Sequence, residues 1–173
     1  MKIRQPILIV VPALVLGLVG TVHAFRNEPA GFRGIKWGTH IEKTKDLYFA
    51  GPSQTWNVYR RNNENLKMGE ATVREIEYYF YKQRFYSVRV RFFGEQNLLN
   101  VRKMLSDAYG RGIQHPKAYS VEYQWRGSKV DIHIEYDNIS KQGALVYTYL
   151  PISAEVAKDR KNLPVQGEGR PLK

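Results

Sequence analysis

Two stretches of the chain alternate strictly between apolar and polar residues. In residues 74–93, REIEYYFYKQRFYSVRVRFF, Ile76, Tyr78 and Phe80 alternate with Glu75, Glu77 and Tyr79. Beyond the polar turn Lys82-Gln83-Arg84, Tyr86, Val88, Val90 and Phe92 alternate with Ser87, Arg89 and Arg91. A period of two on both sides of a short polar turn predicts a hairpin. Setting Phe80 opposite Tyr86 brings Tyr78 to Val88 and Ile76 to Val90 on one buried face. The same register sets Glu77 against Arg89 and Glu75 against Arg91. Each such pair contributes about 0.2–1 kcal/mol, so the charges help select the register. Residues 119–136, YSVEYQWRGSKVDIHIEY, repeat the pattern. Gly127-Ser128 suits a two-residue type II′ loop, which pairs Trp125 with Val130, Tyr123 with Ile132 and Val121 with Ile134. Glu122 then falls opposite His133 on the polar face. A further strand is expected over 143–150, GALVYTYL.

Between the hairpins the period changes. From Gly94 to Gly110, Leu98, Val101, Leu105 and Ala108 recur at helical spacing, with Leu99, Met104 and Tyr109 widening the stripe. Gly110 sits where a glycine ends a helix. Thr39-His-Ile-Glu42 matches a capping box and predicts a short helix from His40 to Leu47. Residues 55–61, TWNVYRR, read as a strand, and 62–70 as a polar loop. The order is helix, three strands, helix, three strands. The expected fold is therefore α+β, a tandem α-β-β-β repeat forming an antiparallel sheet of about six strands with two helices on one face. Residues 25–151 make one domain. Residues 152–173 are expected to form a short exposed helix and then a disordered basic tail, since the end of the chain carries Gly, Pro and charge without apolar periodicity.

The hairpin parity also marks a candidate contact surface. Tyr79, Tyr81 and Phe93 point away from the face that carries Tyr78, Phe80, Tyr86 and Phe92, and they lie beside Arg89 and Arg91. Arginines among aromatics invite a nucleic-acid reading, because bases stack on aromatic rings over a basic groove. Matching the arginines to glutamates argues against that partner.

The ends of the chain set a location. Met-Lys-Ile-Arg precedes an apolar run from Pro6 to Gly20 and the small-residue site Val22-His23-Ala24. This is the pattern of a secretory signal peptide, with cleavage expected after Ala24 and a periplasmic or secreted product. The alternative is an uncleaved N-terminal anchor, although the run is short of the roughly 20 apolar residues a span requires. The formal net charge is +11, and cleavage removes only two cations, Lys2 and Arg4. A product this basic will meet anionic lipids, lipopolysaccharide or acidic protein faces, so contact with a membrane surface fits. The chain has no cysteine. Disulfides, a thiol nucleophile, Cys-ligated zinc and a lipidated cysteine are thereby excluded.

Catalytic patterns are missing. GFRGIKWGT at 31–39 carries its lysine before the last glycine, which fails the phosphate-loop spacing; it reads as a strand from Phe32 to Trp37 entering a helix. His40, His115 and His133 have no ligand partner at metal-site spacing, so no metal and no cofactor is expected. No serine sits in a nucleophile elbow. Glu75 and Glu77 have arginine partners that would depress their pKa and suit neither acid role of a glycosidase.

The blocks GFRGIKWG (31–38), KMGEATVREIEYYFYKQRFYSVRVRF (67–92) and YGRG (109–112) resemble a loose group of uncharacterised exported proteins from Gram-negative bacteria, over roughly residues 31–150. The doubled α-β-β-β plan is similar to the fold of the secreted β-lactamase inhibitor protein and of small outer-membrane assembly lipoproteins. That likeness implies binding through a sheet face. The expectation is a non-enzymatic binding module for a protein or another envelope component. The alternatives are a charge-driven polyanion binder (lipopolysaccharide, anionic lipid or nucleic acid) and, third, a hydrolase of unrecognised type.

Overall fold

Period-two patterning dominates the outcome. In this computed structural model 49% of the described residues are in strands and 22% in helices, so the chain is mostly β rather than evenly α+β. The structure describes residues 25–53 and 56–161; the expected signal peptide, 1–24, and the expected disordered tail from 162 lie outside the described residues. In chain order the elements are β1 (Gly31–Phe32), β2 (Ile35–Lys36), a 3-10 turn (Ile41–Lys43), β3 (Leu47–Ser53), β4 (Trp56–Arg61), β5 (Lys67–Met68), β6 (Ala71–Thr72), β7 (Glu75–Tyr81), β8 (Arg84–Phe93), α1 (Glu95–Tyr109), β9 (Ile113–Pro116), β10 (Ser120–Arg126), β11 (Val130–Asp137), β12 (Gln142–Tyr149) and α2 (Leu150–Lys161). One antiparallel sheet of eight strands runs β3-β4-β7-β8-β12-β11-β10-β9, and β1-β2 and β5-β6 are small separate hairpins. Two four-strand meanders thus meet through their last strands, β8 and β12.

The expected six-strand sheet is corrected to eight. The two strands that sequence reading misses, β3 and β9, are the sheet edges. All four residues of β9 are exposed, so no apolar alternation marks it. β3 carries Gly51 and Pro52 and shifts register between Phe49 and Gly51, features that edge strands tolerate.

The first helix is corrected to a single 3-10 turn. The capping box does not form, and His40 at the N-cap makes no side-chain cap bond. Tertiary pairing takes the backbone instead. Gly38 N–H donates to Phe85 O at 2.8 Å, Phe85 N–H to Thr39 O at 2.9 Å, and Ile41 N–H to Gln83 O at 2.9 Å. The segment expected to be one strand from Phe32 to Trp37 is the β1-β2 hairpin, which turns through Arg33 and Gly34, both at positive φ. Its Phe32 and Ile35 are buried in the main core, alongside Leu98, Val101 and Leu105 of α1.

The β7-β8 register is as the charges predict from Glu75–Arg91 to Tyr79–Ser87. A bulge then intervenes, and Phe80 pairs with Phe85 rather than Tyr86. The turn is Lys82-Gln83 alone, both at positive φ, the geometry of a two-residue hairpin loop. Tyr86, the extra residue, leaves the α1 core and joins the opposite face. The β10-β11 register differs from expectation by two residues: Trp125 pairs with Ile132, Tyr123 with Ile134, and Gln124, not Glu122, with His133. The loop is longer because it is built around a distant carboxylate. Glu28 accepts from Lys129 N–H at 2.5 Å, Val130 N–H at 2.6 Å and the Ser128 hydroxyl at 3.0 Å. Burial opposes ionisation of Glu28, but these bonds outweigh it and hold the carboxyl below its usual range. A slip of two keeps every side chain on its face, so the core membership is unchanged.

Of the two helices expected on one face, over 40–47 and 94–110, the first is the 3-10 turn and only α1 forms. α1 covers the inner face, whereas α2 crosses the outer one. Two sides of α2 have separate tasks at helical spacing. Ile152 and Val156 are buried against Val58, Tyr79, Tyr81 and Tyr86. Glu155 takes a bidentate pair from Arg84 at 3.1 and 2.6 Å. Asp159 accepts from the Tyr81 hydroxyl at 2.5 Å and from Lys82 at 2.7 Å. The stretch expected to be a short exposed helix is therefore a docked one. The hydrogen bond from Arg84 holds Glu155 below the ordinary carboxylate range, and those from Lys82 and Tyr81 do the same for Asp159. A depressed carboxyl contributes stability that is present above its unfolded pKa and lost as pH falls through its folded one. Docking of α2 is expected to weaken below about pH 4, before the inner core opens. Amide hydrogen exchange across a pH series checks this: protection of 150–161 should fall first, and uniform loss over the whole chain would contradict it.

Candidate functional site: a groove on the outer sheet face

Strand β12 runs through the middle of the sheet with small residues outward. Ala144 lies between Arg91 of β8 and Glu135 of β11; Val146 lies between Arg89 and His133. Long side chains on both neighbours and short ones between them make a groove of about 740 Å³ with Ala144 and Val146 as its floor. At one end the Arg74 guanidinium stacks 4.5 Å above the Phe93 ring, and Tyr119 stands 68% exposed. At the other end α2 closes over the sheet.

The charges on the walls are arranged differently from the strand register. Glu77 is buried and Cα-paired with Arg89, yet its carboxylate meets Arg60 and Arg91, each at 3.4 Å, and accepts from the Tyr79 hydroxyl at 3.0 Å. Glu75 bridges Arg91 at 3.4 Å and also contacts Arg60. Arg60 comes from β4, whose alignment with β7 sequence reading did not supply. Arg89 is thereby released: among the described residues no carboxylate lies within ion-pair distance of it, and its guanidinium sits 5.9 Å from the centre of the Tyr79 ring. Burial and the Glu77 charge push the Tyr79 hydroxyl up to about 12, so it stays a hydrogen-bond donor at neutral pH. On the other wall His133 stands 3.8 Å from Glu122, which also pairs with Lys117.

Of the residues expected to form a contact surface, Arg89 and Arg91 are exposed and line the groove, and Phe93 is exposed beneath Arg74, which also lines it. Tyr79 and Tyr81 are 9% and 6% exposed, because α2 lies on them. Ala144 and Val146 were not singled out from sequence. Their parity within 143–150 does mark them as outward, but their placement beside Arg89 and Arg91 needs the β8-β12 pairing, which joins the two halves of the chain. Among the described residues no group of three or more His, Asp or Glu side chains is placed to hold a metal ion.

No family model, curated protein or solved structure matches this chain.

Proposed function

We propose that the chain is an exported, non-enzymatic binding module that engages a protein or another envelope component along the β12 groove. The observation that carries this reading is the open part of the outer face. One half of that face is sealed by α2 over an aromatic cluster, and the other presents a trough with a small-residue floor, charged walls and aromatic rims. A concave surface with an apolar floor and a few polar groups around it suits orientation of a ligand. Export rests on the N-terminal pattern of the sequence.

Ala144→Arg tests the proposal. Ala144 is half-buried on the groove floor and outside the core, so an arginine fills the trough with little effect on the fold. The tagged chain is expected to retain one stoichiometric component of solubilised envelope through a high-salt wash, and Ala144→Arg to lose it. Leu99→Arg, an exposed position on α1, should retain it. Equal capture by both variants would refute the groove. Capture that vanishes with salt in all three would favour the polyanion reading, because charge-driven contacts are screened within about 10 Å at 0.1 M salt.

A further inference from the structure

The two walls of the β12 groove carry opposite charge. Arg89 and Arg91 of β8 stand on one side, with Arg74 at the end, and His133, Glu135 and Asp137 of β11 stand on the other. The strand register fixes their order: Arg91 and Glu135 flank Ala144, and Arg89 and His133 flank Val146. Two interstrand spacings, about 9.6 Å, separate β8 from β11. The charges do not meet across that gap. Arg91 turns away to Glu75 and Glu77, and Glu75 is itself shared with Arg60. Asp137 accepts from the N–H groups of Ile139 and Ser140. Arg74, Arg89 and Glu135 are exposed, and among the described residues none of the three is in an ion pair.

We propose that the groove takes an amphipathic helix of a partner protein, with small or apolar residues underneath, acidic residues along the flank over β8 and basic residues along the flank over β11. This rests on the groove reading and names the chemistry of the partner. The floor selects a helix over a strand. β12 is hydrogen-bonded to β8 and β11 on its two sides, so it offers no free edge for strand addition. An extended segment laid on Ala144 and Val146 would leave its own N–H and C=O groups unpaired against apolar side chains. A helix satisfies its own backbone, and its diameter of about 10 Å matches the wall spacing. From Gln142 to Val146 the floor runs about 14 Å, the length of two to three helical turns. The same sheet face already holds a helix in this way. α2 lays Ile152 and Val156 on the sheet and directs Glu155 and Asp159 at Arg84 and Lys82 of the β7-β8 hairpin. A partner helix beside it would bring carboxylates to Arg89 and Arg74 and cations to Glu135.

Calorimetric titration with three synthetic peptides tests this. Each has about 18 residues, an alanine-rich background that folds alone, and a leucine stripe at helical spacing. The first carries Glu on one flank and Lys on the other, the second Glu on both, the third Lys on both. At about 0.15 M salt, where charges beyond roughly 8 Å are screened, the mixed peptide is expected to bind about fivefold or more tighter than either of the others. Glu135→Lys makes both walls basic and should reverse the order in favour of the all-Glu peptide. Glu42→Lys, the same charge change at an exposed position on the 3-10 turn, should leave the order as it was. The proposal is overturned if no peptide binds, or if the all-Glu peptide binds the native chain most tightly. It is also overturned if the order survives Glu135→Lys, if Glu42→Lys reverses it as well, or if Ala144→Arg binds the mixed peptide undiminished. Envelope capture that Ala144→Arg abolishes, with no peptide bound, would sink the helical partner and leave the groove reading standing.

Discussion

Phe85→Ala is expected to lower the unfolding free energy by about 3–5 kcal/mol, the range for removing a large ring from a rigid core. Phe85 is fully buried. Its ring stacks on Trp37 at 4.8 Å and meets Phe80 at 5.3 Å and Tyr78 at 6.0 Å. Those neighbours are held by other contacts and cannot collapse into the space. Tyr78 is tied through its hydroxyl to Glu64 at 2.6 Å, and the Trp37 indole to Pro29. Phe85 also anchors Gly38 and Thr39 by its backbone, so a tilt of the strand would loosen the N-terminal segment as well. Urea denaturation measures the change. A loss under about 1 kcal/mol would mean that the aromatic cluster repacks freely and that the core around β1-β2 is not rigid.

Gly143→Ala is expected to cost about 1–3 kcal/mol, as overpacking of a filled core does. Adding a methyl to a strand glycine would ordinarily stabilise by about 0.4–1 kcal/mol through the unfolded chain. Here the site decides otherwise. Gly143 of β12 sits in register between Tyr136 of β11 and Phe92 of β8. The two rings meet across it, 6.3 Å apart and nearly parallel at 9°. A Cβ on residue 143 would lie 2.2 Å from two Phe92 ring carbons, and Phe92 is buried. The same denaturation experiment applies. In the Phe92→Leu background the penalty should shrink, and an unchanged penalty would show that the ring is not the obstacle.

The parts of the site that were legible are those where one strand reports its own parity. Arg89, Arg91 and Phe93 could be put on the outward face from residues 84–93 alone. Tyr79 and Tyr81 obey the same parity, yet whether an outward residue meets water depends on what else docks there. Residues 150–161 gave no strong apolar stripe, since only Ile152 and Val156 are buried. The helix that seals the outer face was therefore hidden in a segment that reads as surface. The ion pairs show a similar limit. Cα register puts Glu77 beside Arg89, but a flexible carboxylate goes to the cations with the better geometry, and one of them, Arg60, arrives from a strand whose pairing no local pattern reveals.

The sequence by itself determined the central hairpins, the β7-β8 register through its charge pairs, the inner face of α1 and the side of each inner strand that is buried. These follow from periods of two and 3.6 and from contacts between near neighbours, which local chemistry encodes. Only the tertiary structure decided the two edge strands, the fate of the capping box, the slip of the β10-β11 loop around Glu28, the face that α2 covers and the juxtaposition of β8 with β12. Each of these depends on contacts between segments far apart in the chain, where a distant backbone or carboxylate outcompetes the local preference. The groove belongs to this second class: its floor and its basic wall come from different halves of the chain and exist only once those halves pair.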